Sequence, residues 1–447
     1  FLKVRDHRNT YKYYRFKTYR INKMLNIKYI QENLEIVKHS VKARELDVDV
    51  DLLLEKYEEW KKTKKDLDDL RRERNVLTEN INKARKQKKD FKKFIEESKN
   101  NNEKIKEMEL KFKELDEEYN VLVYKIPNTL HDDVPISDVD RVDWESKIKK
   151  PEFDFKPKRN WEILIDLDLA DFKRAIKAAG DRAWMLRGDA ARFNRAITNF
   201  LLDFWREKGY FELIPPYYVN EENLYITGHY PGGEKEVYKT EDGKVFVGTG
   251  EISVLAISKD DVFNKKELPK KFMCYTPCYR REAGNHADDK GLYRTHQFDK
   301  VELTHITIPE NEETEYNQIF EDLKELYNTL EIPHRIITHR ANDMPNKAIL
   351  EKDVEGWLGA EERWGELGSI GMTASFQAIR GNIKFIGEGK EEFAHTIYAT
   401  GGVANRIFIA IINNNQQKDG VIKIPKVLQS YMGGKKVIGL PDKKKIG

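Results

Sequence analysis

The chain has 447 residues, of which 35% are charged, and its formal net charge at pH 7 is +3. This length exceeds one ordinary hydrophobic core, so we expect two or three domains. No apolar run approaches the roughly 18 residues that cross a bilayer, which argues against a membrane protein, and the small net charge restricts any nucleic-acid surface to a local patch.

The first 23 residues differ in character from the sequence that follows them. They are basic and aromatic, and they contain neither a continuous apolar segment nor a small-residue cleavage site. Met24 opens a more ordinary protein start. We therefore expect residues 1–23 to be an upstream extension, with an organelle transit peptide as the alternative.

An amphipathic pattern follows over residues 24–126. Apolar residues recur every three or four positions from Trp60 to Ile95 and again from Ile105 to Ile126. This spacing predicts two long helices that pack as an antiparallel coiled-coil arm, with the polar run at 98–102 as the turn between them. Pro127 then ends the second helix, because proline cannot continue one.

Basic residues are concentrated in one part of this arm, since residues 60–95 contain 14 Lys/Arg and 6 Asp/Glu. Such a patch is typical of phosphate-backbone binding, which is electrostatic and needs little base specificity. The alternative is a solvated flank of the coiled coil. The candidate residues for such binding to a nucleic acid are Lys83, Arg85, Lys86, Lys88, Lys89, Lys92 and Lys93.

Proline-rich sequence at 127–160 is interpreted as a linker, and residues 161–447 as a catalytic domain. In the latter, strand-like segments alternate without regular helical crossovers. This pattern predicts an α+β fold in which an antiparallel β-sheet is flanked by helices.

The segment from Cys278 to Leu303 combines arginines and carboxylates in two strand-like pieces joined by a polar loop. Arginine's planar guanidinium suits carboxylate and phosphate oxygens, so this hairpin could hold a nucleotide and an amino acid. The alternative is a surface hairpin with ordinary ion pairs. Its charged and histidine residues are Arg280, Arg281, Glu282, Arg294, His296, Asp299 and Glu302.

The two cysteines, Cys274 and Cys278, lack a second pair of metal ligands, so no structural zinc is expected. So few cysteines indicate a reducing compartment, which favours the cytoplasm without excluding an organelle.

Four segments occur in a characteristic order: a helix, strand and Pro-Pro pair (190–219), the triplet Thr249-Gly250-Glu251, the arginine hairpin, and a glycine-rich stretch ending in Arg406. They resemble motifs of class II aminoacyl-tRNA synthetases. The segments KIPNTLHDDVP, GLYRTHQFDKVEL and FQAIRGNIKF, together with the helical arm, resemble seryl-tRNA synthetases.

This resemblance implies a two-step reaction in which L-serine and ATP form seryl-adenylate and the seryl group then passes to the 3′ end of tRNA(Ser). It also implies a homodimer and a Mg²⁺ ion that accompanies ATP. The implied catalytic residues are Arg280, Arg406 and Glu302, and the implied metal ligands are Glu366 and Ser369. The implied ATP-binding residues are Arg280, Glu282, Arg294, Phe298, Glu366, Ser369 and Arg406. The implied serine-binding residues are Thr249, Glu251, Arg280, Glu302, Tyr398 and Thr400.

Alternatives remain for single residues of this set. Glu302 could be a strand carboxylate paired with Lys300 or Arg294, and Thr249 and Thr400 could have packing or turn roles beside their glycines.

The chain departs from the family pattern near the implied serine pocket. Tyr398 stands where the family usually has Asn, GSIGM (368–372) where it has SSCSN, and Asn413 where it has an acidic residue. The loop NHADDK (285–290) is short for contacts with the tRNA acceptor end. A synthetase-like paralogue that binds tRNA but has lost or altered serine activation is therefore the alternative function.

Overall fold

The computed structural model describes residues 27–283 and 291–439, together with the backbone of two short strands nearer the N terminus. The chain divides into two units, Phe1–Pro127 and Asn128–Gly447. Most of the extension at 1–23, the loop NHADDK and the last eight residues of the catalytic segment lie outside the described residues.

The N-terminal unit consists mainly of helices. Its elements are β1 (Leu2–Arg5), β2 (Tyr11–Tyr14), α1 (Ile27–Glu32), α2 (Leu34–Ala43), α3 (Val50–Lys86) and α4 (Lys92–Lys125). Helix α3 begins after Asp49, whose side chain accepts a hydrogen bond from the backbone N–H of Leu52 at 2.9 Å. This bond satisfies one of the free N–H groups at the helix start.

Helices α3 and α4 pack against each other in opposite directions. Trp60 Nε1 near the start of α3 donates to Asp116 Oδ1 near the end of α4 at 2.7 Å. Further along α3, Arg71 pairs with Glu109 of α4 at 2.9 Å. The predicted pair of long antiparallel helices is therefore confirmed.

The turn between these helices lies at residues 87–91, so its predicted position at 98–102 is wrong. Lys88 adopts a left-handed backbone with φ of 51°, and the Asp90 side chain accepts from the N–H of Lys92 at 3.0 Å, so this stretch ends one helix and starts the next. The polar run at 98–102 is instead helical, and its Asn101 is buried and donates to the Leu70 carbonyl at 3.3 Å. The polar Asn101 lies between the two helices, and polar residues of this kind made the helical segment look like a turn in the sequence.

The second unit is built on an eight-stranded sheet with the strand order β3-β10-β11-β12-β15-β9-β8-β4. All neighbours in it are antiparallel except β4 and β8, which confirms the predicted mostly antiparallel sheet. The strands of this unit are β3 (Arg141–Glu145), β4 (Phe211–Leu213), β5 (Tyr218–Asn220), β6 (Lys244–Phe246), β7 (Val262–Asn264), β8 (Lys270–Tyr279), β9 (Gln297–Thr307), β10 (His334–Thr338), β11 (Leu350–Leu358), β12 (Arg363–Met372), β13 (Lys384–Gly387), β14 (Lys390–Phe393), β15 (His395–Val403), β16 (Ile422–Lys423) and β17 (Val437–Ile438).

The segment predicted as a linker, 127–160, contributes to this sheet. Strand β3 pairs with β10 at the sheet edge, and Asn128 donates through its amide to the carbonyls of Lys347 and Thr373 at 2.9 and 2.8 Å. These residues therefore belong to the folded unit, because their hydrogen bonds are made with residues about 200 positions away.

Helices cover both faces of the sheet. They are α5 (Asn160–Asp166), α6 (Phe172–Ala179), α7 (Gly188–Glu207), α8 (Asn223–Ile226), α9 (Gly250–Ile257), α10 (Glu312–Thr329), α11 (Phe376–Gly381) and α12 (Ala404–Asn415). Among the helices that the structure describes, none is both long and apolar enough to cross a membrane.

The two faces of the sheet have different cover. On one face, termed the rear face, α7 packs closely enough for the fully buried Trp205 to donate from Nε1 to the Gly401 carbonyl at 2.7 Å. On the other, termed the front face, the start of α9 meets β8 and β9: a Cβ on Gly250 would lie 2.4 Å from Cys274 Sγ and 3.0 Å from Glu302 Cβ. Polar side chains collect on this front face.

The bond between Trp205 and Gly401 gives a test of the rear packing. Trp205→Phe should lower the free energy of unfolding by about 2–4 kcal/mol, because it leaves a buried carbonyl unpaired and part of the indole volume empty. Chemical denaturation measures the change. Trp161→Phe, at a partly exposed position, is the control and should cost less than about 1 kcal/mol. Equal costs for the two variants would contradict this explanation.

Candidate active site

Two central strands place three of the predicted serine-binding residues together on the front face. In the antiparallel pair β15–β9, Thr400 is opposite Glu302 and Tyr398 is opposite Thr304. Side chains of directly opposite residues share a face, and so do alternate residues of one strand. Glu302, Thr304, Tyr398 and Thr400 therefore form one patch, and all are buried.

A β-bulge adds Glu366 and Ser369 to this face. On regular strands, residues three apart face opposite ways. In β12, however, Ser369 pairs with Asp353 and Glu366 with Glu355, so Leu367 is an extra residue. Because Asp353 and Glu355 share a face of β11, Glu366 and Ser369 share it too. The bulge thus brings the two predicted metal ligands to one side.

Arg280 is the first residue after β8, and hydrogen bonds to two neighbouring segments of the chain hold it in place. Its Nε donates to the Gly248 carbonyl at 3.1 Å, and its backbone N–H donates to the His296 carbonyl at 2.9 Å. Its guanidinium carbon lies 5.2 Å from the centre of the Phe298 ring. The Arg280 guanidinium thus lies beside the face of the Phe298 ring, and such a ring can interact with a cation and can also stack on a planar base.

Glu282 and Arg294 stand at the two ends of the loop in the arginine hairpin. Arg294 Nη1 donates to Glu282 Oε2 at 2.9 Å, and Glu282 has a left-handed backbone with φ of 46°. This ion pair joins the two ends of the hairpin. The short loop NHADDK between them lies outside the described residues, as does the expectation about its contacts with the tRNA acceptor end.

Arg406, from the first turn of α12, forms an ion pair with Glu366 at 2.6 Å and lies 5.2 Å from the centre of the Tyr293 ring. Burial tends to lower the pKa of Arg406, but the Glu366 carboxylate outweighs it and raises that pKa. Burial likewise raises the pKa of Glu366, and the Arg406 charge lowers it below its usual value. Both groups are therefore charged near neutral pH.

Among the described residues, the contacts of Glu302 involve only one of its two carboxylate oxygens, Oε2. Thr249 Oγ1 donates to Glu302 Oε2 at 2.8 Å, and Lys300 Nζ contacts the same oxygen and donates to Thr249 Oγ1 at 3.1 Å. Burial raises the pKa of Glu302, and the Lys300 ammonium partly offsets this. The Lys300 pairing considered above is present, whereas Arg294 pairs with Glu282.

Glu251 has a partner that the sequence analysis did not identify. Lys347 Nζ donates to both carboxylate oxygens at 2.7 and 2.6 Å, and Gln377 Nε2 donates to Oε1 at 2.6 Å. Burial tends to raise the pKa of Glu251, but the Lys347 charge prevails and lowers it. Glu251 is thus an ionised, fully occupied group that ties α9 to the segment before β11.

Tyr398 extends this network. Its hydroxyl donates to Glu351 Oε2 at 2.6 Å, and Lys347 Nζ lies 3.7 Å from the centre of its ring. Burial raises the pKa of Tyr398 well above its usual value, and Glu351 adds to the effect. Lys347, Gln377 and Glu351 lie far from Glu251 and Tyr398 in sequence, and no local spacing could have indicated these contacts.

The GSIGM segment and the two cysteines lie on separate strands, β12 and β8. Of the GSIGM segment, Gly368 lies under Thr400, since a Cβ there would be 2.6 Å from Thr400 Cβ. The two cysteines are buried on β8 four residues apart, a separation of about 13 Å that is too long for one metal ion. His395 contacts Glu312 at 2.6 Å, away from this patch.

The predicted tRNA-binding residues surround the turn between α3 and α4. All seven are exposed. The guanidinium carbon of Arg85 lies 5.1 Å from the centre of the Phe91 ring, and the nearest carboxylate contact of Lys93 is with Glu97 at 3.9 Å. Charges this exposed are weakly compensated and suit a polyanionic partner.

Two protein-family models match the chain. Residues 24–130 match the seryl-tRNA synthetase N-terminal domain, and residues 238–415 match the tRNA synthetase class II core domain (G, H, P, S and T).

Curated relatives and solved structures agree with these matches. A serine–tRNA ligase of Desulforapulum autotrophicum is 36% identical over 93% of this chain and 99% of its own, and one of Listeria welshimeri is 34% identical over 94% and 100%. The crystal structure of a seryl-tRNA synthetase from Pyrococcus horikoshii complexed with ATP has a TM-score of 0.83 at 30% identity, covering 93% of this chain and 99% of that one. A cytoplasmic serine–tRNA ligase from Naegleria fowleri in complex with AMP has a TM-score of 0.80 at 26% identity, covering 93% and 98%.

Proposed function

The chain belongs to the seryl-tRNA synthetase family, and we propose that its front face activates L-serine with ATP and transfers the seryl group to tRNA(Ser). One observation carries the site assignment. Arg280, Glu302 and Arg406 come from three separate segments, and each is fixed by a polar contact with another group of this chain. Such preorganised charge is what adenylate formation requires.

Activation joins a carboxylate oxygen of serine to the α-phosphorus of ATP and breaks the bond from that phosphorus to the bridging oxygen, releasing pyrophosphate. Serine is itself the nucleophile, so the protein contributes position and charge compensation. Arg280 would bridge the serine carboxylate and the α-phosphate. Its restraint by Gly248 and Phe298 supports this role, because a held guanidinium loses little freedom on binding.

The other ATP contacts follow the same face. Phe298 would stack on adenine, Glu282 would accept from the base, and Arg294 and Arg406 would bind the γ-phosphate end. Arg294 and Arg406 each already have one carboxylate partner. Phosphate oxygens would compete with these carboxylates for the two guanidiniums, each of which carries five N–H donors.

Glu366 and Ser369 fit a Mg²⁺ ion that accompanies ATP, because both present oxygen atoms on one face and Glu366 is ionised. When bound, this ion neutralises phosphate charge. Arg406 beside Glu366 would hold the same phosphates from the protein side.

Serine recognition is assigned to Glu302, Thr249 and Thr400, with Glu251 and Tyr398 supporting them. The Oε1 oxygen of Glu302 remains for the ammonium or hydroxyl of serine, while Oε2 is oriented by Thr249 and Lys300. Alanine and glycine carry the ammonium but lack the hydroxyl, so they would leave the polar group that pairs with that hydroxyl without a partner, and a buried unpaired group penalises them strongly.

Transfer forms an ester between the seryl carbonyl carbon and a terminal hydroxyl of tRNA, with AMP as the leaving group. The exposed basic residues around the turn at 87–91 would hold the tRNA backbone elsewhere. A homodimer is proposed on the exposed apolar side chains near β4 and β5, where Phe211 and Ile214 are 66% and 85% exposed. The two buried free cysteines suit a reducing compartment such as the cytoplasm.

Serine-dependent exchange of pyrophosphate into ATP tests this function directly. The wild-type protein should exchange with serine and not with alanine or glycine, and Glu302→Gln should raise the KM for serine by at least about tenfold while leaving the KM for ATP unchanged. Glu362→Gln, at an exposed position, is the control and should behave as wild type. Absence of serine-dependent exchange in a folded, ATP-binding protein would refute the proposal.

A further inference from the structure

Tyr398 and Gly371 form a matched pair on the front face. They are directly opposite each other on β15 and β12. A Cβ added to Gly371 would lie 2.4 Å from Cζ and Oη of Tyr398, far inside the contact distance of carbon atoms. The tyrosine ring thus occupies the space that any other residue at position 371 would need.

The tyrosine ring is also held at its hydroxyl group and against one of its faces. Its hydroxyl reaches Glu351, which lies opposite Gly371 on β11, so the side chain spans the full width of β12. Lys347 lies 3.7 Å from the ring centre and is itself bound by Glu251. All four side chains are buried or nearly so, and a ring held in this way cannot swing aside at low cost.

The other cross-strand neighbour of Tyr398 is Thr304, two residues from Glu302. Thr304 is 1% exposed, and its Oγ1 has no hydrogen-bond partner among the described residues. Thr304 therefore continues the buried polar patch from Glu302 to Tyr398 on the front face.

A serine pocket built on Glu302 leaves one selectivity problem unsolved. Alanine and glycine are rejected because they lack the hydroxyl, but threonine has both the ammonium and the hydroxyl of serine and differs by one methyl group. Only a rigid wall can reject that methyl group, and one such group is worth about 10- to 200-fold in kcat/KM.

On the basis of the proposed serine pocket, we propose that Tyr398 is a specificity-determining residue: its ring, seated over Gly371 and held by Glu351 and Lys347, is the wall that excludes side chains one methyl group larger than that of serine.

Pyrophosphate exchange with serine and with threonine measures this role. Tyr398→Ala and Tyr398→Ser should each raise the ratio of threonine to serine kcat/KM by about tenfold or more, mainly through a lower KM for threonine. Tyr398→Phe keeps the ring and should retain the wild-type ratio. Thermal unfolding and the KM for ATP establish that each variant is folded with its nucleotide site intact.

Gly371→Ser tests the pairing itself. In the wild-type background it should displace the ring and raise the KM for serine by at least about tenfold, whereas in the Tyr398→Ala background it should change that KM by less than about threefold. Equal effects in both backgrounds, or an unchanged threonine-to-serine ratio in both smaller variants, would overturn the inference. Glu302→Gln separates the two proposals: if it leaves the KM for serine unchanged, the pocket assignment fails, and if it raises that KM while Tyr398→Ala leaves the ratio unchanged, only the role of Tyr398 fails.

Discussion

Arg280→Ala should lower the kcat of serine-dependent pyrophosphate exchange by about a hundredfold to a thousandfold. The guanidinium would neutralise charge on the serine carboxylate and the α-phosphate as they approach each other, and no other arginine is restrained by Gly248 and Phe298 in the described residues. Water that fills the vacated space must reorganise during the reaction, so it replaces little of this stabilisation. Steady-state exchange at saturating ATP and serine measures the loss.

Two further variants define the cause of that loss. Arg280→Lys should recover only a small part of the activity, because an ammonium is a point charge without the planar pair of donors. Arg281→Ala removes the neighbouring arginine, whose side chain is exposed, and should reduce kcat by less than about threefold. A loss in Arg281→Ala as large as in Arg280→Ala would show that general positive charge, rather than a held guanidinium, is what matters.

The second large effect is expected at the turn between α3 and α4. Replacing Lys83, Lys86, Lys88 and Lys89 together with alanine should raise the KM for tRNA(Ser) by about tenfold to a hundredfold near 150 mM salt. Each lost phosphate contact should also reduce the slope of log affinity against log salt concentration by about one. Because these side chains are exposed, the fold should be unaffected.

A matched variant removes four lysines from the bodies of the same helices: Lys62, Lys65, Lys104 and Lys106, which are also exposed. Net charge falls equally in both variants, so a general electrostatic attraction would weaken both alike. Aminoacylation and filter binding over a salt series distinguish them, with pyrophosphate exchange unchanged in each. Equal losses in the two variants would mean that the turn has no special role.

Local patterns predicted the elements whose residues interact with near neighbours in sequence. Apolar spacing predicted α3 and α4, and the order of motif segments led to the prediction of Arg280, Glu302 and Arg406 as catalytic residues. The turn of the arm was misplaced because Phe91 and Ile95 continue the apolar spacing through it, while the buried Asn101 looked like loop sequence.

Contacts between distant segments could not be predicted in the same way. Lys347 and Glu251 are 96 residues apart, and Tyr398 and Glu351 are 47 apart. Each pair is joined only because the sheet brings its strands and the start of α9 together, and single charged or aromatic residues give no signal of their partners. The segment at 127–160 has few apolar residues and four prolines, so its sequence did not indicate strand β3 at the sheet edge.

The extra residue at Leu367 fixes how this strand can change during evolution. The side chains of β12 alternate between the two faces of the sheet, and the bulge shifts this alternation by one residue. Losing a single residue there would turn Glu366 to the rear face and reverse the facing of every residue before it on the strand, while Ser369 stayed in place. Length changes in this part of the chain should therefore be far more damaging than most single substitutions.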